Sequence, residues 1–439
     1  MEWAVILIIL ISSLIAVMFL GVPVAFTFML VTSIAIFLLY GDAGLKQWIL
    51  GMQSQLGKFA FAPIPFFVIM GEVFFRSGII TQTMDSLSVI VRRIPGRLSV
   101  ITLLGGGIFA SLSGSSLANT AMFGSLMMPE MMRRGYSKEM TTGSIIASGA
   151  LAMIIPPSNL VVMMGGIAGI SVAAILIGAI LPGLLLLVMY IGYVVISCIR
   201  NPSLAPNTEE DEFEEVFTNA DKLKTFARDI LPLLLVFVAV IGIIFSGIGT
   251  ATEAASFGAL AAYLLAIIYR KFNLKLVIQT VIGSLKTTTM LMLIISASAG
   301  FSQVLSMTGA SRNAVMVITQ NIESQALILF IMLIILFVLG LFMTQAAIMM
   351  ICLPLFMPIV HAFGINEIWF AVIFLILLQV GQFTPPVGMS LFVMKSVSPP
   401  EVTLQHIIKG AIPFVILDML AVLIIILIPQ IVTVLPSLL

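Results

Sequence analysis

Two short stretches put oxygen atoms where a helix cannot continue: IIPPSNL at Ile154–Leu160 and FTPPVGM at Phe383–Met389. A proline removes a backbone donor and clashes with the preceding turn. The residue before it is pushed out of the helical region. Two prolines in succession leave carbonyl oxygens without helical partners, which at membrane depth are tolerated where they line a cavity or bind an ion. Two further stretches supply side-chain oxygens. Ser111–Thr120 reads SLSGSSLANT, with hydroxyls around a glycine, a poor centre for a continuous helix. Gly340–Gln345 reads GLFMTQ. Hydroxyl, amide and carbonyl oxygens facing such breaks are hard, neutral ligands suited to Na⁺. Half-helices starting near Ser115 and Gln345 would offer partial positive charge to an anion.

The missing groups narrow the chemistry. There is no Asp or Glu at 98–129, 140–200, 324–366 or 368–400. Proton-coupled carriers usually need an intramembrane Asp, Glu or His. Only His361 falls in these ranges, in the connection after Pro358, so neutral oxygen ligation fits better than a proton relay. No Ser/Lys, paired-Asp or zinc constellation points to an intramembrane enzyme. Cys198 and Cys352 sit in apolar runs and suggest neither disulfide nor metal framework. The net charge of +1 gives no reason to expect a nucleic-acid partner. Among the other charges, Glu72 and Arg76 are spaced to pair along a helix, and Glu253 reads as a helix N-terminal charge. Asp418 lies mid-run with no intrahelical partner, so it should pair across helices or with another subunit. The 28 methionines read as gap-filling and lipid-facing residues.

The elements that must hold these residues are membrane helices. The chain has 439 residues, 61% hydrophobic and 9% charged, against about 25% charged in soluble proteins. Many apolar runs approach the ~20 residues needed to cross a bilayer, and none alternates as a β-barrel strand would. Trp3–Leu20 lacks a basic flank and a small-residue cleavage site and reads as a retained helix. Pro129, Gly135, Pro156 and Pro157 recur 229 positions later as Pro358, Gly364, Pro385 and Pro386, and Gly71 recurs as Gly300. The chain is therefore two repeats. The 35 residues between Arg97 and Arg133 are too many for one span and too few for two. They predict a re-entrant hairpin of two half-helices, about 14 residues each.

Arg92, Arg93 and Arg97 precede this hairpin and Arg133, Arg134 and Lys138 follow it, which puts both ends on the cytoplasmic side. No Lys or Arg occurs from Asn313 to Met394, so the second hairpin opens to the other side and the repeats are inverted. The N-terminus then lies outside the cell and the 201–229 linker, with its six acids between Glu209 and Glu215, lies inside. Ser77–Pro95 is amphipathic and reads as an interfacial arm. The fold class expected is an all-α polytopic membrane protein of inverted repeats, each with a re-entrant hairpin and a Pro-broken transmembrane helix. Its function would be secondary transport, with a channel less consistent with duplicated half-helices.

At these residues the chain resembles the large membrane subunit of tripartite ATP-independent periplasmic (TRAP) transporters. The matching stretches are Ser113–Ser137, Ile154–Asn159, Gly249–Leu260, Pro354–Asn366 and Phe383–Val393, and the likeness covers essentially the whole chain. The resemblance implies an elevator-type transporter of the ion transporter superfamily in the bacterial inner membrane. It implies Na⁺-driven uptake of an organic acid such as a C4-dicarboxylate or a sialic acid. It also implies two partners, a periplasmic substrate-binding protein and a small four-helix membrane subunit. One Na⁺ site would use Ser113, Gly114, Ser115, Asn119, Pro156, Ser158 and Asn159. The other would use Gly340, Thr344, Thr384, Pro386, Gly388 and Met389. Substrate would lie near Ser116, Asn119 and Gln345. Thr344 departs from the family, where an acid often follows G-x-x-M. The implied organisation is scaffold at 1–59, transport domain at 60–170, scaffold with linker at 171–283, transport domain at 284–400 and a scaffold helix at 401–439. The competing assignment is a binding-protein-independent Na⁺/dicarboxylate symporter with the same two-hairpin architecture.

Overall fold

The computed structural model describes residues 3–91, 94–113, 115–206, 218–385 and 388–439. Gly114 and Pro386 of the expected sites, Arg92, Arg93 and the acidic run 209–215 lie outside the described residues. Every regular element among the described residues is helical. The first repeat runs through α1 (Trp3–Phe19), α2 (Val24–Leu56), α3 (Pro63–Arg76), α4 (Ile79–Ile90), α5 (Arg97–Ser113), α6 (Ser116–Arg133), α7 (Lys138–Ala150), α8 (Asn159–Ala168), α9 (Val172–Gly178) and α10 (Ile180–Arg200). A short α11 (Asn219–Thr225) leads into the second repeat. This comprises α12 (Leu231–Phe245), α13 (Ala251–Ile268), α14 (Leu274–Met307), α15 (Ala310–Asn321), α16 (Gln325–Gly340), α17 (Gln345–Ala362), α18 (Glu367–Gln382), α19 (Met389–Val397) and α20 (Leu404–Leu427). Eight helical segments among the described residues are long and apolar enough to cross a membrane. Residues such as Leu38, Leu260 and Leu423 point their apolar side chains outward, as expected where lipid replaces water as solvent.

The duplication reaches down to single caps. Helices α6 and α17 start 229 positions apart, as do α7 and α18. Ser115 and Thr344 are the N-caps of α6 and α17, and their hydroxyls accept from the amides of Ala118 and Ala347, each at 3.3 Å. Ser137 and Asn366 cap α7 and α18 in the same way. These side chains satisfy donors that the first helical turn leaves free. Gly41 and Arg270, also 229 apart, both turn the chain with positive φ, at 60° and 55°. The expected hairpins are present, with arms longer than expected: α5 and α6 have 17 and 18 residues, because the helix runs to Ser113 and resumes at Ser116.

Contacts sort the helices into two groups. In the first, α2 packs on α14, α3 on α13 and α14, α12 on α13, and α1 on α2. In the second, α7 is surrounded by α5, α6 and α20, while α18 packs on α16 and α20, and α10 on α5 and α20. Three helices assigned to a domain from sequence have the following neighbours. Helix α3, grouped with the first hairpin, packs chiefly on α13 and α14, and α10 and α20, grouped with the scaffold, pack on hairpin and broken-helix elements. The expected boundary at 283/284 falls inside the continuous α14. Apolar spacing marks that a helix is buried, but both groups offer apolar faces and spacing cannot say which one receives it.

Asp418 answers its open pairing within the chain. It is fully buried on α20, accepts from the Tyr190 hydroxyl of α10, and accepts from Gln379 Nε2 of α18 at 3.2 Å. The cluster therefore ties three helices of the second group together. Glu72 pairs with Arg76 at 2.5 Å, and Glu253 closes a capping box with Thr250.

Helices α4 and α15 connect the two groups and hold on differently. Helix α4 buries Ile79, Ile80, Met84 and Leu87 along one face, the amphipathic arm expected. Asp229, on the turn before α12, accepts from Gln82 Nε2 at 2.6 Å and Ser86 Oγ at 2.9 Å. Lys271 Nζ donates to the Gly78 carbonyl at 3.0 Å. Helix α15 buries only Ala310 and reaches the other group, where Ser311 Oγ donates to the Pro354 carbonyl at 3.4 Å. Pro358 lacks the N–H that would otherwise satisfy that carbonyl.

Candidate functional site

The ends of both hairpins and both broken helices open onto one cavity of about 740 Å³. Ser115, Ser116 and Asn119 line it from the first hairpin, and Asn159 from the first break. Thr344 and Gln345 line it from the second hairpin, and Gln382 and Met389 from the second break. The opposite wall belongs to the first group of helices and to α4, including Glu72, Thr287 and Ile80. Glu72 is the sole ionisable side chain among the described residues lining the cavity. Among the described residues no group of three His, Cys, Asp or Glu side chains is placed to hold a metal.

Small residues let the hairpins sit this close to the breaks. A Cβ on Gly149, at the end of α7, would overlap Thr120 Oγ1 and the Ser116 carbonyl of α6. A Cβ on Gly381, at the end of α18, would overlap the backbone of Gly340 on α16. The second contact is backbone against backbone, so no side chain can yield.

At the first break α7 ends at Ala150 and α8 starts at Asn159. Ser158 is fully buried and Asn159 is 4% exposed. Ser158 Oγ and Asn159 Oδ1 have no hydrogen-bond partner. Buried polar oxygens are nearly always satisfied, and leaving one unpaired costs about 1–3 kcal/mol. Two neighbouring orphans beside a cavity fit a cation that supplies the missing positive charge. Pro156 is buried behind them, outside the cavity lining. Ser113 is the last residue of α5. Asn119 is 1% exposed and Ser116 is 4% exposed, one turn apart on α6.

The second break is more self-contained. Thr384 Oγ1 donates to the Val380 carbonyl at 2.7 Å, and the Thr384 carbonyl accepts from Gly388 N at 3.2 Å. Gly340, Thr384 and Gly388 do not line the cavity, whereas Thr344 and Met389 do. Gln345 reaches across the repeats, its amide nitrogen donating to the sulfur of Met153 beside the first break.

Gln382 was missed by the sequence reading. It is 6% exposed, lines the cavity and accepts from Ser390 Oγ at 3.4 Å. It stands just before the FTPPVGM stretch, 229 positions after Met153. An amide replacing an apolar residue at the mirrored end of a broken helix was the available signal.

The family model "Tripartite ATP-independent periplasmic transporter, DctM component" matches residues 11–431. The chain belongs to this family. A DctM relative, the C4-dicarboxylate TRAP transporter large permease of Pseudomonas aeruginosa, is 30% identical over 403 residues, 91% of each chain. The sialic acid TRAP transporter large permease SiaM of Vibrio cholerae is 26% identical over 425 residues, 96% of each chain. The fold of this DctM-family chain resembles the solved structure of Neisseria gonorrhoeae MtrF, with TM-score 0.63 and 13% identity over 88% of this chain and 84% of that one. The resemblance seen in the motifs and the inverted two-hairpin fold class both stand.

Proposed function

We propose that this chain is the large permease of a Na⁺-coupled importer of an organic acid. Its cargo would be delivered by a periplasmic binding protein, and a small four-helix membrane subunit would complete the complex in the inner membrane. The observation that carries the proposal is the pair of orphaned oxygens, Ser158 Oγ and Asn159 Oδ1, beside a cavity that both hairpin tips line. The large permeases for C4-dicarboxylates and sialic acid among its relatives support an organic acid as the cargo class.

Na⁺ is cargo in this scheme. One ion would sit between the first hairpin tip, at Ser113–Ser115 and Asn119, and the oxygens of Ser158 and Asn159. A second would sit at Gly340, Thr344, Thr384, Gly388 and Met389. Neutral ligands leave the ion's charge uncompensated, so it can attract a carboxylate held near Ser116, Asn119 and Gln345 by the half-helix N-termini. Excess cation charge is driven inward by the membrane potential, about 2.3 kcal/mol per charge per 100 mV. The two packing groups support an elevator movement. The hairpins with α7–α10 and α16–α20 would slide against α1–α3 and α12–α14, with α4 and α15 as connectors. The cavity extends to Pro23 and Ile80 on the side of α4. The flanking arginines support a cytoplasmic assignment for that side, under which the conformation is inward-facing and the N-terminus periplasmic.

Reconstituting the three components in proteoliposomes tests this. Uptake should require external Na⁺ and rise with an inside-negative potential. Uptake that ignores Na⁺ and follows a proton gradient overturns it.

A further inference from the structure

We infer that the Glu72–Arg76 pair is the charge selector of the cavity. It would govern the sign of the solute that passes between the hairpin tips and the mouth on the α4 side. This rests on the proposed anionic cargo only for its purpose, and it is tested without that cargo.

Both residues lie on α3, one turn apart, with Arg76 Nε 2.5 Å from Glu72 Oε2. Their side chains keep 32% and 23% exposure for Arg76 and Glu72 respectively, so neither is sealed into the packing. Helix α3 uses its other residues, including Met70, Val73 and Phe74, to pack. The carboxylate instead enters a niche left by Gly283 of α14. A Cβ there would stand 2.6 Å from Glu72 Oε2. The packing therefore makes room for a carboxylate at the cavity wall, more than a helix-surface ion pair requires.

The electrostatic consequence is simple. A bare carboxylate on this wall would repel an anion and retain a cation. Arg76 stands outside the lining, but its ion pair with Glu72 offsets that charge and leaves the wall near neutral. An exposed pair is worth roughly 1 kcal/mol or less. The local bias is therefore about fivefold in rate or occupancy.

The test places a reporter thiol in the cavity at Thr287→Cys, since Cys198 and Cys352 are both buried. Anionic and cationic methanethiosulfonates of similar size are compared by their modification rates. In the E72Q background the anionic-to-cationic ratio should rise about fivefold, and in R76Q it should fall by a similar factor. R76K and the double variant E72Q/R76Q should stay near the parent ratio. A ratio that moves the same way in E72Q and R76Q, or in neither, overturns the inference. If R76Q does not yield folded protein, a raised ratio in E72Q beside a parent-like ratio in the double variant decides it, and equal ratios in those two overturn it. Failure here leaves Na⁺-driven uptake untouched, and loss of Na⁺-driven uptake leaves this ratio untouched.

Discussion

The two halves share caps, breaks and register, yet they treat their oxygens differently. At the first break Ser158 Oγ and Asn159 Oδ1 are buried without partners. At the second, Thr384 donates its hydroxyl to Val380 and Gln382 accepts from Ser390. The arms diverge as well. The first is clamped to the frame through Asp229, and the second holds the opposite group through Ser311. The mirrored breaks share their geometry, but two buried oxygens are unpaired at the first, while the Thr384 hydroxyl and Gln382 carbonyl oxygen are paired at the second. The lesson is that equal spacing does not give equal chemistry. What separates the halves is which hydrogen-bond capacity the surrounding helices have already used.

Breaking the first site should have the largest effect. Asn159→Ala should lower Na⁺-driven uptake roughly tenfold and raise the Na⁺ concentration needed for half-maximal rate, because an oxygen with no other partner is lost. Thr384→Ala should change the same rate by about threefold or less, since its hydroxyl proton is already committed to Val380. Equal losses in both variants would erase the distinction.

Packing provides the next contrast. Gly381→Ala should destabilise by about 1–3 kcal/mol, because the new methyl meets the backbone of Gly340. Gly149→Ala should cost less, since its tightest contact is the Thr120 hydroxyl and its nearest backbone atom, the Ser116 carbonyl oxygen, lies at 2.9 Å against 2.5 Å for the Gly340 Cα at Gly381. Thermal unfolding in detergent ranks the two, and the reverse order would contradict the backbone-contact argument.

The arms should give the most local effect. Asp229→Ala removes the acceptor for Gln82 and Ser86, a loss of about 2 kcal/mol of local stability. Hydrogen exchange should quicken in α4 and stay unchanged in α15. Ser311→Ala should cost about 1 kcal/mol or less, confined to α15. Unchanged exchange in α4 would show that apolar burial alone holds the first arm.

Much of this was legible in the residues. The Pro-Pro pairs and their 229-residue offset located both breaks, and the half-helix starts expected near Ser115 and Gln345 match the observed N-cap Ser115 and first helical residue Gln345. The helix N-terminal charge at Glu253 and the Glu72–Arg76 pair followed from local spacing, which is where sequence is most informative. The grouping of α3, α10 and α20 was not legible. Each is an apolar helix, and only the position of its neighbours decides which face of which group it covers. The difference between the breaks was hidden for the same reason. Whether Thr384 or Ser158 has spent its hydrogen bond depends on local backbone geometry, not on residue type.

The central claim is that the first break is a cation site made of neutral oxygens. The most direct measurement is the thermal stability of the purified full-length protein titrated with Na⁺, K⁺ and choline, since a ligand that binds only the folded state raises its unfolding temperature. The account predicts a rise with Na⁺ that choline and K⁺ do not reproduce, retained in Thr384→Ala and strongly reduced in Asn159→Ala. An undiminished Na⁺ response in Asn159→Ala, or an equal response to K⁺, would contradict it.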